Sequence, residues 1–202
     1  MKFLEFMDKN FADDLNARSR YITIRPAIKL FLERGGKNII ETGTARGYRG
    51  FEDGNSTLIW SHLANAVDGK CYSVDISKEA IRGSMLLCEG VSDNTIFKTM
   101  DSLNFLQEFD DKIDLLYLDS MDASVGGYQK HHLEEIKLAH SNLHENSIIL
   151  IDDSPEYETE YLKNGGKGAL VIPLLLENGW KILLRNYQTL LIRDETYDSD
   201  IP

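Results

Sequence analysis

Apolar positions along the chain change period, and the changes separate helices from strands. In residues 3–16, Phe3, Phe6 and Met7 share one helical face with acids opposite, which predicts a helix. A second helix is predicted from Thr23 as cap, with Pro26 in its first turn, through "AIKLFLERGG", whose glycines end it. From residue 38 onward short apolar runs alternate with helical stretches. "NIIE", "KCYSVDIS", "TIFKTMDS", "KIDLLYLDS" and "SIILIDDS" read as strands. "STLIWSHLANAV", "SKEAIRGSMLLCEG", "LNFLQEF" and "YQKHHLEEIKLAHSNLH" read as the helices between them. "KGALVIPLLLENG" reads as mostly helix despite Pro173, and "WKILLRNYQTLLIRD" as a closing hairpin that turns at Arg185-Asn186.

Strands alternating with helices of 10–15 residues mean a parallel sheet covered on both faces. The near-continuous apolar runs "DLLYL" and "IILI" suit strands buried on both sides. The expected fold is α/β: a doubly wound, Rossmann-like, seven-stranded sheet, mostly parallel, with one antiparallel strand from the last hairpin. A single domain is expected over 1–202, with a helical cap at 1–35, a core at 36–193 and an acidic tail at 194–202. In such sheets ligands bind beyond the carboxyl ends of the strands, where strand order reverses.

Composition narrows the partners. Against 22 Lys and Arg stand 33 Asp and Glu, a formal charge of −11, which argues against a nucleic-acid partner. No apolar run approaches the ~18 residues of a membrane span. The start "MKFLEFMDKN" is interrupted by Glu5 and does not read as a signal peptide, so a cytoplasmic protein is expected. Cys71 and Cys88 sit in apolar stretches and read as reduced, buried thiols. The apolar N-terminal helix has two available roles, covering a site or pairing two subunits as a homodimer.

The polar residues that end the strands are Glu41, Asp75, Asp101, Asp119 and the pair Asp152 and Asp153. Any one of them suits a helix cap or a turn. Their recurrence at one topological position points to a site. Gly43, Gly47 and Gly50 after the first strand allow backbone to approach a ligand. Asp75 suits a ribose diol, and Asp101 can accept from an adenine amino group. "GTARGYRGFEDG" lacks the compact G-x-G-x-x-G running into a helix, so a cofactor without phosphates fits better than a dinucleotide.

"IIETGTARG", "CYSVDIS", "MDSLNFL" and "LLYLDS" resemble the successive motifs of class I S-adenosylmethionine-dependent methyltransferases. "LYLDS…IILIDDS" further resembles the metal-dependent O-methyltransferases of the catechol and macrocin types. The resemblance spans roughly residues 36–193 and departs from the family in the longer insert "RGYRGFED". It implies S-adenosylmethionine held by Glu41, Gly43, Thr44, Ser56, Asp75, Asp101, Ser102 and Asp119, with Glu41 toward the amino-acid end and Asp75 on the ribose. Asp119, Asp152 and Asp153 match the family's metal positions. Three carboxylates on one rim repel unless a cation or shared protons compensate, and a hard ion such as Mg²⁺ is a natural partner. Both Asp152 and Asp153 reach one ion only if the chain turns there, and Ser154-Pro155 suits such a turn.

The implied reaction is O-methylation of a small-molecule acceptor carrying a vicinal diol, sugar or catechol-like, with the ion lowering the pKa of one hydroxyl. The resemblance implies Asp122 as a candidate base, since catechol-type relatives carry a basic Lys three residues beyond the position of Asp119, and His131 is an alternative if it faces the cleft. Two other readings are an Fe(II)-dependent hydroxylase, favoured if His131 or His132 faced Asp119, and a non-catalytic module that retains the nucleoside pocket. His140 and His144 have metal-ligand spacing but lack the glutamate of a zinc-protease motif. "NGGKG" lacks the Walker spacing and reads as a loop beside the acidic rim, with Lys167 placed to touch substrate. Trp60, Tyr128 and Trp180 read better as core than as pocket walls.

Overall fold

The computed structural model describes residues 2–17, 19–46, 55–158, 162 and 165–194. Its strands are β1 (Asn38–Thr42), β2 (Lys70–Asp75), β3 (Thr95–Thr99), β4 (Ile113–Leu118), β5 (Leu143–Ile151), β6 (Trp180–Arg185) and β7 (Thr189–Arg193). They form one sheet in the order β3-β2-β1-β4-β5-β7-β6, in which β7 alone runs against the direction of the other six. The helices are α1 (Lys2–Ala17), α2 (Tyr21–Glu33), α3 (Ser56–Val67), α4 (Lys78–Leu87), α5 (Ser102–Glu108), α6 (Tyr128–Ala139) and α7 (Val171–Glu177). This is the expected doubly wound, mostly parallel α/β sheet.

Alternation along the buried strands divides the core in two. Ile39, Leu115, Tyr117, Ile148 and Leu150 pack with α1, α2 and α3. Their neighbours Ile40, Leu116, Leu118, Ile149 and Ile151 face α5, α6 and α7. Both faces being apolar explains why these strands read as unbroken hydrophobic runs. Cys71 and Cys88 are free and buried, and Trp60 and Trp180 are core residues.

Three boundaries differ from expectation. α2 begins at Tyr21, because Thr23 does not cap it: its hydroxyl donates back to the Arg20 carbonyl at 3.0 Å, and Arg20 takes the cap position. Pro26 consequently lies inside the helix. α6 stops at Ala139, a tight turn spans His140–Asn142, and β5 starts at Leu143, placing His144 on a strand. There its Nε2 meets Asp114 at 3.0 Å. The last hairpin turns through Asn186, Tyr187 and Gln188 rather than at Arg185-Asn186, with Asn186 N–H donating to the Gln188 carbonyl at 2.9 Å. Gly47, Gly50 and nearly all of the 46–54 insert fall outside the described residues, as does the tail beyond Asp194.

The parallel register sets the strand tips level. Thr42 pairs with Val74 on one side and Leu118 on the other, and Leu118 pairs with Ile151. One residue further on, Gly43, Asp75, Asp119 and Asp152 therefore stand side by side. Backbone bonds continue the ladder, from Gly43 N–H to Val74 at 2.8 Å, Asp119 to Thr42 at 2.9 Å and Asp152 to Leu118 at 3.0 Å. The sheet order reverses between β1 and β4, so this rim is also the crevice where ligands bind.

Candidate functional site

Two adjoining cavities open along the rim. One, of about 270 Å³, lies over β2 and β3 and is walled by Asp75, Ile76, Asp101, Ser102, Met121 and His131. Ile76 leaves 73% of its surface exposed there, an apolar face of the kind a planar base covers. Asp75 is pinned by backbone donors, Ser77 N–H at 2.7 Å and Thr44 N–H at 3.2 Å. Each of its oxygens keeps a lone pair for a ligand hydroxyl. Asp101 caps α5 through Leu103 N–H at 2.8 Å and also lines the cavity. Beneath this wall the buried Glu135 accepts from Ser120 at 2.7 Å and lies 3.4 Å from His131 Nε2. His131 Nε2 in turn lies 3.0 Å from Ser102 Oγ. The Glu135 hydrogen bond raises the His131 pKa, and although burial works against Glu135 its own is held low by His131.

The second cavity, about 330 Å³, shares Gly43, Asp75, Ser120 and Met121 with the first. Gly43 has φ +84°, and a Cβ there would strike the Asp119 carbonyl, so only glycine lets β1 pass β4 here. The far wall carries Asp119, Asp152 and Asp153, whose oxygens come within 4.8 Å of one another. Asp153 has φ +43°, so the chain does turn after Asp152, and both side chains face the same space.

Two protein cations meet these acids. Arg20, from the α1–α2 connection, binds Asp152 through Nε at 3.0 Å and Nη2 at 2.7 Å, with its guanidinium 4.7 Å from the Tyr187 ring centre. Gln188 donates to Asp152 at 2.7 Å. Lys167 Nζ lies 2.6 Å from Asp119 and 3.2 Å from Asp153. Tyr187 donates its hydroxyl to Asp153. Burial opposes ionisation of Asp152, yet the Arg20 guanidinium holds its pKa at about 2. Burial and the Asp152 charge push Asp119 well up, with Lys167 offsetting part of that. Burial pulls Lys167 down, but the surrounding aspartates outweigh it and keep the ammonium charged.

A divalent ion on the three aspartates is not what this arrangement fits. The Lys167 ammonium, 2.6 Å from Asp119 and 3.2 Å from Asp153, already bridges two of the acids that would have to share the ion, and each of the six carboxylate oxygens also meets a protein donor. Arg20 and Gln188 occupy Asp152, Lys167 takes one oxygen each of Asp119 and Asp153, Tyr187 takes the other oxygen of Asp153, and Tyr117 reaches the last at 3.4 Å. Mg²⁺ needs several oxygens at about 2.0–2.1 Å, and a fixed ammonium on the same oxygens repels it.

The other expected residues divide. Gly43, Thr44, Ser56, Asp75 and Asp119 line the acidic cavity, and Asp101 and Ser102 the first one. Glu41 lines neither: it is fully buried and accepts from the hydroxyls of Ser56, Thr57 and Ser73 at 2.5–2.7 Å. It therefore locks the start of α3 to β1 and β2. Asp122 does line the acidic cavity but is half-exposed, held by Ser124 N–H at 2.8 Å and 3.9 Å from Arg46. The Ser124 contact lowers its pKa, which makes it a poor base. His131 faces the first cavity rather than the acids, and His132 is buried with Nδ1 2.7 Å from the Tyr128 carbonyl. No histidine lines the acidic cavity among the described residues, so the observation that would favour an iron hydroxylase is not made. Arg20, Glu135, Tyr187 and Gln188 were not legible as site residues. Nothing local in the sequence marks them, because each acts on a partner far along the chain or one helical turn away.

With this geometry in place, comparison defines the class. A family profile described as a methyltransferase domain matches residues 49–154, just over half of the chain, and the chain belongs to that family. No curated protein sequence matches it. Among solved structures it is similar to an SAH-bound methyltransferase from Podospora anserina, at 17% identity and a TM-score of 0.60, covering 96% of this chain and 87% of that one. The N-methyltransferase NodS from Bradyrhizobium japonicum matches at 14% identity and 0.60, covering 89% and 97%. A SAM-dependent O-methyltransferase from Thermotoga maritima matches at 14% and 0.56, covering 86% and 64%. At these identities the likeness establishes the Rossmann-like methyltransferase fold.

Proposed function

We propose that this chain binds S-adenosylmethionine across the two cavities and methylates an oxygen of a small, hydroxyl-rich acceptor of the sugar type. The observation that carries this reading is their common wall: Gly43, Asp75, Ser120 and Met121 border both, so a nucleoside held in the first exposes its far end to the second. The methyltransferase family, and the bound SAH named for the Podospora anserina relative, support the identity of that nucleoside.

The acidic cavity selects the acceptor by its chemistry. Its carboxylates, guanidinium and ammonium suit several hydroxyls, and Tyr187 is the one aromatic side chain among its described lining residues. That polarity favours a polyol over a flat catechol. The Lys167 ammonium beside the acceptor side can stabilise an oxygen that becomes negative as it attacks.

The cofactor, when bound, supplies an electrophilic sulfonium methyl. Asp75 orients the ribose from its backbone-pinned position, and Met121 and Gly43 shape the passage between the cavities. Asp119 is the proton acceptor on the acceptor side, since one of its oxygens meets only Tyr117, at 3.4 Å, whereas the oxygens of Asp152 are committed to Arg20 and Gln188 and those of Asp153 to Lys167 and Tyr187. Holding acceptor and methyl in line can supply about 7–11 kcal/mol of the barrier reduction.

The test is transfer of a labelled methyl group from S-adenosylmethionine to a panel of sugars, catechols and amines. Label in sugar-type diols is expected. Label only in amines or catechols would contradict the acceptor reading, and binding without transfer to any acceptor would make the chain a cofactor-binding module.

A further inference from the structure

We propose that Lys167 is the resident cation of the acidic cavity, standing where relatives of the metal-dependent kind would hold an ion, and that the chain works without a divalent metal. The inference rests on the preceding reading only for what the cavity does; the exclusion of the ion rests on geometry alone.

The lysine is built in. Its side chain is 3% exposed, and its Nζ spans Asp119 and Asp153 at 2.6 and 3.2 Å. The turn that carries it, Gly166–Gly168, is fastened to the acids it serves, with Lys167 N–H donating to the Asp153 carbonyl at 2.9 Å. Gly166 has φ +55°, and a Cβ on it would overlap that same carbonyl. A side chain there would lift the turn and withdraw the ammonium. Arg20 completes the set by occupying Asp152 at 2.7 Å. The three carboxylates thus face two fixed cations, and an entering ion would have to expel Lys167 and compete with Arg20.

The same ammonium can do for the acceptor what an ion would, placing positive charge beside the oxygen as it attacks. The step balances without a metal. The hydroxyl proton passes to Asp119, the oxygen–carbon bond forms, and the carbon–sulfur bond breaks with its electron pair left on sulfur.

The experiment is a Mn²⁺ titration followed by electron paramagnetic resonance on the full chain, for the wild type, Lys167→Met and Lys167→Met with Asp119→Asn. The wild type should show no saturable binding, Lys167→Met should gain at least tenfold in Mn²⁺ affinity, and the double variant should lose that gain. Stoichiometric binding by the wild type overturns the proposal, as does a folded Lys167→Met that binds no better than wild type. The wild-type titration needs no variant to fold. Calorimetric binding of SAH, run with and without EDTA, separates this inference from the methyltransferase reading. Binding unchanged by EDTA is expected, EDTA-sensitive binding contradicts the metal-free site, and no binding under either condition contradicts the reading beneath it.

Discussion

Three hydroxyls donate to Glu41, yet burial still pushes its carboxyl up to about 7 from an ordinary 4.5. Between those values the folded chain keeps a proton that the unfolded chain has released. The contribution to stability is therefore full below about pH 4.5 and is lost as pH rises toward 7, a change of roughly 3 kcal/mol. Glu41→Gln should flatten that part of the pH–stability curve in urea titrations; an unchanged slope would assign the titration elsewhere. Gly43 is the other residue whose identity geometry dictates. Gly43→Ala should cost about 1–3 kcal/mol through its positive φ and the clash with Asp119, and should weaken cofactor binding as well. A variant as stable as wild type would mean that the rim relaxes around the methyl group.

Among elements, the α1–α2 connection and the start of α2 reach far along the chain. The connection delivers Arg20 to Asp152, 132 positions away, and Thr23 meets Gln188 of the hairpin loop at 2.6 Å. Arg20→Met should destabilise by about 3–5 kcal/mol, because it leaves a buried carboxylate without its partner. Adding Asp152→Leu should recover much of that loss, and a double-mutant cycle by denaturant unfolding measures the coupling. Additive losses would mean that the pair is not coupled. This is also where the sequence was least readable. Thr23 resembled a helix cap because caps are judged from local spacing, whereas its hydroxyl is spent on Arg20 and Gln188. Lys167 read as a loop residue near the rim, and only the folded turn at Gly166 shows it driven between two acids. Such pairings leave no periodic trace in a chain.

At the scale of the molecule, the alternation of strand and helix was legible because a two-sided parallel sheet forces continuous apolar strands and amphipathic covers. The rim of acids was legible for the same reason: in a parallel sheet every strand ends on the same side, so equivalent tip residues converge. Their compensation was not, since charge balance inside a cavity depends on three-dimensional neighbours. No helix among the described residues is long and apolar enough to cross a membrane. A ligand that bridges the two cavities contacts β1, β2 and β4 together and should stabilise the whole sheet, by about 2.7 kcal/mol at a hundredfold excess over its Kd.

The central claim is that Asp75, at the level tip of β2, grips a nucleoside at the junction of the two cavities. Calorimetric titration of SAH into the wild type and Asp75→Ala tests it most directly. One-to-one binding to the wild type is expected, at least tenfold weaker in the variant, or about 1.4 kcal/mol. Equal affinity in the two proteins would contradict it.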